Sequence, residues 1–129
     1  MKRIRIALMI SPQNENRFAP LLHRPEFVIS GRFCHPRQFE EMPESHDIIV
    51  VDTDIVGISA ARAIEMILAK TSRSKVITIC TIPDIEQART LIQVGVTGIL
   101  LNHELTSRFA YTVRTVYAGH IVISPLIMK

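Results

Sequence analysis

The chain has 129 residues, which suits one domain with its own hydrophobic core. Hydrophobic residues make up 47% of it but aromatic residues only 5%, so the core is expected to be mainly aliphatic. The net charge of +3 arises from scattered basic residues and not from a basic run interleaved with aromatic residues, which argues against a surface for binding nucleic acid.

The sequence also argues against several other classes of site and segment. No apolar run approaches the roughly 20 residues that a membrane span needs, and the N-terminus lacks the apolar region of a signal peptide. Cys34 and Cys80 are isolated, and the histidines do not fall at metal-ligand spacings. We therefore expect a reduced, soluble, cytoplasmic protein with no metal site, no cofactor and no catalytic residues.

Five short runs of apolar residues predict buried strands. They cover residues 4–10, 27–33, 48–51, 76–80 and 98–101. The second run is the weakest, because Gly31 lies inside it. The third run, Ile-Ile-Val-Val, is followed directly by two acids, Asp52 and Asp54. This pattern is typical either of a strand that surfaces into a turn or of a carboxylate at the carboxyl edge of a parallel sheet.

Two short helices are predicted in the first part of the chain. Pro20 removes a backbone donor in the middle of a helical pattern over residues 14–23, so this helix is expected to begin near Ala19 or to be kinked there. The second short helix covers residues 36–42.

Three longer helices are predicted in the second half of the chain, each from an apolar stripe at helical spacing. The first covers residues 60–70, and Ser59 is its predicted N-cap. The second has Pro83 in its first turn, and the third covers residues 105–118. The residues expected to end these last two helices are Gly95 and Gly119.

Strands that alternate with helices predict a parallel sheet with helices on both faces. Right-handed crossovers then leave few possible topologies. The final stretch, residues 121–129, is apolar and has no obvious partner. It either packs on the body of the domain or begins a further segment.

From Ala88 the chain reads Ala-Arg-Thr-Leu-Ile-Gln-Val-Gly-Val-Thr-Gly-Ile-Leu-Leu-Asn, and a predicted helix then ends in Ala118-Gly119, before Ser124-Pro125. This segment resembles the second half of the receiver domain of bacterial response regulators. The resemblance is to the NarL/LuxR subfamily, whose output domain is a helix-turn-helix. That subfamily shows Ala-Gly-Ala-x-Gly-Tyr-Leu-Leu-Lys, a helix ending in Ala-Gly-Gly, an apolar pair and Ser-Pro. The matching residues here are Gly95, Gly98, Leu100, Leu101, Ala118, Gly119, Ser124 and Pro125. Aligning His-Asp-Ile-Ile-Val-Val-Asp with the family's Pro-Asp-Val-Val-Leu-Leu-Asp extends the resemblance over nearly the whole chain, most weakly over residues 11–25.

The resemblance implies an α/β fold of the flavodoxin-like (CheY-like) type. This fold is a doubly wound sheet of five parallel strands in the order 2-1-3-4-5, with helices on both faces. Residues 1–120 would form the receiver-like domain. Residues 121–129 would begin a linker to a C-terminal helix-turn-helix domain.

The resemblance also places Asp52 at the phosphoacceptor position, at the tip of the central strand. Phosphoryl transfer to a carboxylate needs a divalent metal and a cationic side chain, because negative charge develops on the phosphoryl oxygens. The family supplies two acids after the first strand, a hydroxyl after the fourth and a lysine after the fifth. Thr81 keeps the position of the switch hydroxyl.

The remaining positions of this pocket are degenerate. Ser11 and Pro12 stand where the acidic pair belongs, and magnesium requires anionic oxygens that a hydroxyl and a proline ring do not supply. Asn102 stands at the lysine position, and Ile99 stands where the family usually has an aromatic switch residue.

Two nearby residues offer partial substitutes. Asp54 is a candidate metal ligand, although a turn role is the simpler interpretation. His103 is a candidate source of conditional positive charge, or an exposed loop residue. Neither restores the pocket, so magnesium binding is not expected.

The sequence therefore predicts an atypical receiver domain, or pseudo-receiver, of a two-component-type transcriptional regulator. We expect it to act as a signal-input and dimerisation module, not as an enzyme, without ordinary magnesium-dependent phosphorylation. Expected partners are a second copy and a C-terminal DNA-binding domain, with no membrane and no direct contact of this domain with nucleic acid. The second copy would bind through the family's face of helix 4, strand 5 and helix 5, between Asp84 and Tyr117 here, or through another helical face.

Three alternatives remain open from the sequence. One is a working phosphoreceiver that is phosphorylated on Asp52. Another is a small flavodoxin-fold enzyme or nucleotide-binding subunit, since fold does not fix function. A third is a stand-alone adaptor without an output domain.

Overall fold

The computed structural model of the chain describes residues 3–11, 14–33, 35–40, 46–54, 59–71 and 73–127. Within these ranges the backbone forms one sheet of six parallel strands in the order β2-β1-β3-β4-β5-β6. The strands are β1 (Ile4–Met9), β2 (Phe27–Phe33), β3 (Ile48–Asp52), β4 (Lys75–Cys80), β5 (Gly98–Leu101) and β6 (Val122–Ile123). The predicted order of the first five strands is confirmed.

The sixth strand is short and comes from the stretch for which the sequence left two alternatives. Val122 pairs with Gly98 and Ile123 with Ile99 along β5. Ile127 is buried, with only 4% of its surface exposed. Residues 121–127 thus pack on the domain, and the sheet has six strands where the resemblance implied five. A helix-turn-helix domain beyond them stays a prediction.

The structure contains four α-helices and three 3₁₀ turns among the described residues. The helices are α1 (Glu15–Phe18), α2 (Ala60–Lys70), α3 (Ile85–Gln93) and α4 (Leu105–Tyr117). The 3₁₀ turns are Pro20–Leu22, Pro36–Glu40 and Asn102–Glu104. Pro20 opens the first turn directly after α1, so the predicted kink is present at this proline. Met42, the predicted end of the second short helix, lies outside the described residues.

The helix caps agree with the sequence at most positions. The Ser59 hydroxyl accepts a hydrogen bond from the Arg62 backbone N–H at 3.3 Å, as expected of an N-cap. The Asp84 carboxylate accepts bonds from two backbone N–H groups at the start of α3, at 2.9 and 3.2 Å. Because Asp84 is the N-cap, Pro83 lies before the helix, and the prediction that it sits in the first turn was wrong.

The two helix-ending glycines have the backbone conformation that favours glycine. Gly95 has a φ of 114° and Gly119 a φ of 105°, a region that L side chains rarely adopt. Both chain reversals after α3 and α4 therefore depend on the missing side chain.

The central strand β3 separates two hydrophobic layers. Ile48 and Val50 face a cluster that includes residues of α1 and α4, whereas Ile49 and Val51 face a cluster that includes residues of α2 and α3. This alternation confirms that helices cover both faces of the sheet. The layer covered by α1 and α4 also contains aromatic residues. In this layer Phe18 of α1 packs edge to face against Phe109 of α4, with 5.9 Å between the ring centroids.

β2 differs from the other strands because it lies at an edge of the sheet. Most of its residues are only partly buried.

No helix among the described residues is long and apolar enough to cross a membrane.

Candidate functional site

The carboxyl edge of the sheet brings Asp52 together with residues that follow β1. β1 and β3 are parallel neighbours, so the chain leaving β1 passes the end of β3. Asp52 ends β3 and has only 2% of its surface exposed. Burying a carboxylate is costly unless hydrogen bonds replace its water. Asp52 therefore needs hydrogen-bond donors from the residues around it.

Both oxygens of Asp52 accept hydrogen bonds from neutral groups. The Asn14 amide Nδ2 donates to Oδ2 at 2.6 Å, and the Ser11 hydroxyl donates to the same oxygen at 3.4 Å. The backbone N–H of Asp54 donates to Oδ1 at 2.9 Å. None of the ion pairs among the described residues includes Asp52. The carboxylate of Asp52 is thus held at the carboxyl edge by three neutral donors.

The hydroxyl that the sequence resemblance assigned to the switch position is bonded to Asp54. The Thr81 hydroxyl donates to Oδ2 of Asp54 at 2.5 Å, and both residues are exposed. Asp54 therefore joins the ends of β3 and β4, with its backbone bound to Asp52 and its carboxylate bound to Thr81. This arrangement fits the turn role suggested by the sequence.

Asn102 and Ile99, which the sequence resemblance aligned with the family's lysine and aromatic switch, carry no charge. Asn102 opens the 3₁₀ turn after β5, and its side-chain Oδ1 is buried and accepts no hydrogen bond from the described residues. Ile99 is 1% exposed and packs in the core layer that includes α2 and α3. A neutral amide cannot balance phosphoryl charge, and a buried aliphatic side chain carries no polar group to respond to it. Pro12 lies outside the described residues.

The 3₁₀ turn after β5 carries a buried acid, Glu104, that the sequence analysis did not single out. Glu104 is 7% exposed, and its Oε1 accepts a hydrogen bond from the Leu101 backbone N–H at 3.0 Å. Its Oε2 lies 3.9 Å from Nε of Arg108. This carboxylate fixes the junction between β5 and α4.

The residues at the carboxyl edge do not fit a magnesium ion. Magnesium is usually bound through carboxylates in near-octahedral geometry. The described residues contain no cluster of three or more His, Cys, Asp or Glu side chains able to hold a metal. Both oxygens of Asp52 are already engaged, and Asn14 presents its N–H group, which is not a metal ligand. The described residues of this pocket thus offer one carboxylate with both oxygens engaged, and the absence of a metal site stays a prediction.

The thiol of Cys80 also lies at the carboxyl edge of the sheet, but it is buried. Cys80 ends β4 and is 2% exposed. Burial raises the pKa of its thiol, which disfavours the reactive thiolate.

Asn14 is the site residue that sequence reasoning missed. It lies 38 positions from Asp52, in the stretch where the resemblance is weakest. The available signal was topological: a polar side chain shortly after the first strand lies near the end of the third strand in this fold.

No family model matches the chain, and no curated protein sequence matches it. Solved structures do match. A LuxR-family two-component response regulator from Aurantimonas sp. SI85-9A1 has a TM-score of 0.85 at 16% identity, covering 99% of this chain and 94% of that chain. The isolated REC domain of RcsB from Salmonella enterica serovar Typhimurium, in the apo form, has a TM-score of 0.85 at 10% identity, covering 98% and 96%.

A structure of two RcsB dimers bound to two parallel DNAs also matches, with a TM-score of 0.83 at 12% identity. It covers 99% of this chain but only 67% of that chain. At identities this low the likeness establishes the fold and does not establish the chemistry of the site. The chain therefore has the receiver fold found in LuxR-family response regulators.

Proposed function

We propose that the chain is an atypical receiver domain of the NarL/LuxR-output type that works without ordinary magnesium-dependent phosphorylation of Asp52. One observation carries this proposal: both oxygens of Asp52 are engaged by the neutral donors Asn14, Ser11 and the Asp54 backbone. The receiver fold supplies the context, and the sequence resemblance aligns Asp52 with the phosphoacceptor position of that fold.

Charge explains why this arrangement opposes phosphorylation. A phosphoryl group arriving at Asp52 needs positive charge around its oxygens. Asn102 offers none, and the positions of the acidic pair provide a hydroxyl at Ser11 instead of two carboxylates for a metal. The Asn14 hydrogen bond would also have to break first. Such charge-assisted bonds are worth about 1.5–3 kcal/mol.

A receiver that does not accept a phosphoryl group can still transmit a signal. A ligand or partner shifts a two-state surface if it binds one state better than the other. The groups that join the strand ends here are Asp54 and Thr81, whose 2.5 Å hydrogen bond links β3 to β4. In this proposal, a ligand or partner bound at the carboxyl edge of the sheet takes the place of the phosphoryl group, and the connection between the two strand ends relays its effect.

The proposal includes dimerisation and a DNA-binding output. RcsB dimers bind DNA in a matched structure whose chain is longer than this one. The dimer surface proposed here is the face of α3, β5 and α4, where β6 pairs along the edge of β5. Exposed apolar side chains on α3 and α4, Ile85, Ile92 and Tyr111, suit a contact on this face. A regulator of this kind works in the cytoplasm and is not an enzyme.

Intact mass spectrometry after incubation with acetyl phosphate and magnesium tests the proposal. The isolated RcsB REC domain, treated in parallel, controls for the activity of the phosphoryl donor. We expect no mass increase corresponding to a phosphoryl group on the 129-residue chain. An adduct that appears on the wild type and is lost in Asp52→Asn would show a working phosphoreceiver instead.

A further inference from the structure

A cleft opens at the carboxyl edge of the sheet, between α1 and the start of α4. Its volume is about 310 Å³, at the lower end of the range of small-molecule sites. The residues that line it come from α1, the 3₁₀ turn after β5 and the first turn of α4: Arg17, Asn102, His103, Leu105 and Thr106. Arg17 follows Asn14, the hydrogen-bond partner of Asp52, by three positions in the sequence.

The charged groups that line this cleft favour an anion. Arg17 is exposed and forms no ion pair among the described residues, and His103 is the other ionisable group in the lining. The described residues of the lining include no carboxylate. The nearest acids along the chain are engaged elsewhere, because Glu15 pairs with Arg32 and Glu104 accepts from the Leu101 backbone.

A second, independent feature of the lining calls for a hydrogen-bond donor. The Oδ1 atom of Asn102 is buried and receives no hydrogen bond from the described residues. Leaving a buried acceptor without a donor is costly, so such atoms usually have a partner in the functional state. Asn102 as a whole is partly exposed and lines the cleft, so a rotation of its side chain would bring Oδ1 to a hydroxyl or amino group bound there.

We infer that the cleft binds a small organic anion that also carries a hydroxyl or amino group. Arg17, with its planar donor fork, and His103 hold the carboxylate or phosphate group. Asn102 accepts a hydrogen bond from the neighbouring hydroxyl or amino group. This inference rests on the proposed function, since the bound anion would serve as the signal that phosphorylation provides in other receivers.

The position of the cleft links such a ligand to the proposed partner face. Arg17 belongs to α1, whereas Leu105 and Thr106 begin α4, so a bound ligand connects the two elements. Phe18 of α1 already packs against Phe109 of α4. A ligand that ties α1 to the first turn of α4 therefore acts directly on a helix of the face that would carry the signal.

Calorimetric titration with two matched pairs of probes tests the inference. Malate and succinate differ by one hydroxyl group, and glycerol 3-phosphate and propyl phosphate differ by their hydroxyl groups. The pairs separate a carboxylate ligand from a phosphate ligand. We expect the hydroxylated member of at least one pair to bind about two- to ten-fold more tightly than its partner, since one neutral hydrogen bond supplies a difference of this size.

Three variants identify the residues that bind. Arg17→Gln should weaken binding about ten-fold or more, whereas Arg89→Gln, which removes an exposed arginine on α3, should leave it unchanged. Asn102→Leu, which is close in size, should abolish the preference for the hydroxylated probe while anion binding remains. That loss of preference is a readout that a general structural effect would not produce.

Absence of binding by all four probes, or equal losses in Arg17→Gln and Arg89→Gln, would overturn the inference. The phosphorylation test remains separate. A phosphoryl adduct on Asp52 overturns the proposed function whatever the cleft binds, and an empty cleft without an adduct overturns only this inference.

Discussion

Replacing Asn14 by aspartate tests the contact that distinguishes this site. The Asn14 amide donates to Asp52 at 2.6 Å, so Asn14→Asp sets two carboxylates against each other at the carboxyl edge. Two unit charges about 3 Å apart repel by roughly 5 kcal/mol at an effective dielectric constant near 20. Protonating one of two acids with an ordinary pKa of about 3.9 at neutral pH costs about the same. Asn14 is partly exposed, so solvent and local rearrangement reduce the loss, and we expect about 2–5 kcal/mol.

Equilibrium unfolding in urea, followed by circular dichroism at neutral pH, measures this loss. Asn14→Ala is the matched control, because it removes the hydrogen bond without adding charge and should cost about 1.5–3 kcal/mol. Magnesium provides the sharper comparison. At ten times its dissociation constant it should stabilise Asn14→Asp by about 1.4 kcal/mol, because the second acid rebuilds part of a metal site. It should leave the wild type unchanged.

An Asn14→Asp variant as stable as the wild type without magnesium would contradict the charge repulsion described above. That result would mean that the Asn14 side chain does not contact Asp52 in solution. Equal stabilisation of wild type and Asn14→Asp by magnesium would contradict the charge argument in the same way.

Three further predictions concern the body of the domain. The hydrogen bond from Arg114 holds the pKa of Glu26 below its usual value. The pair therefore stabilises the fold at pH values above the unfolded-state pKa of Glu26, and this contribution is lost as the pH falls through the lowered folded-state pKa. Arg114→Gln should raise the Glu26 pKa in an NMR titration, and an unchanged titration would contradict the contact. Gly95→Ala and Gly119→Ala should each lower the free energy of unfolding by about 1–3 kcal/mol, since alanine is strained at these positive φ angles, and unchanged urea midpoints would refute this. The Cys80 thiol is buried and its pKa is raised, so it should react with iodoacetamide far more slowly in the native protein than in urea. Peptide mass spectrometry measures the two rates, and equal rates would contradict the burial of Cys80.

The sequence predicted the inner strands of the sheet well because burial on both faces leaves a strong signal. β3 reads Ile-Ile-Val-Val before Asp52, and such an uninterrupted β-branched run has few alternatives. β2 at the edge and the two-residue β6 carry weaker signals. Val122 and Ile123 form a strand only because the edge of β5 is open to them, which no local pattern reveals.

Asp84 shows a limit of local reasoning about helix starts. Pro83 and Asp84 are both common at the beginning of a helix, and the sequence does not rank them. In the structure the Asp84 side chain accepts two backbone N–H groups, so the helix begins after it and Pro83 stays outside. The capping bonds decide the boundary.

The candidate site was predicted in part, and the missing part depends on tertiary contact. Asp52 and the degenerate positions follow from the resemblance, but the resemblance does not show what replaces the lost acids. Asn14 supplies that answer through a contact across 38 positions of sequence. The unpaired oxygen of Asn102 is likewise a property of packing around the turn after β5.

The most direct test of the central claim is a titration of the 129-residue chain with beryllofluoride and magnesium, followed by fluorine NMR. Beryllofluoride mimics the phosphoryl group and bypasses the transfer step, so only the pocket itself is tested. We predict no signal from protein-bound fluoride in wild type or in Asp52→Asn. A bound signal that requires magnesium and disappears in Asp52→Asn would show that three neutral donors do not prevent Asp52 from holding both groups.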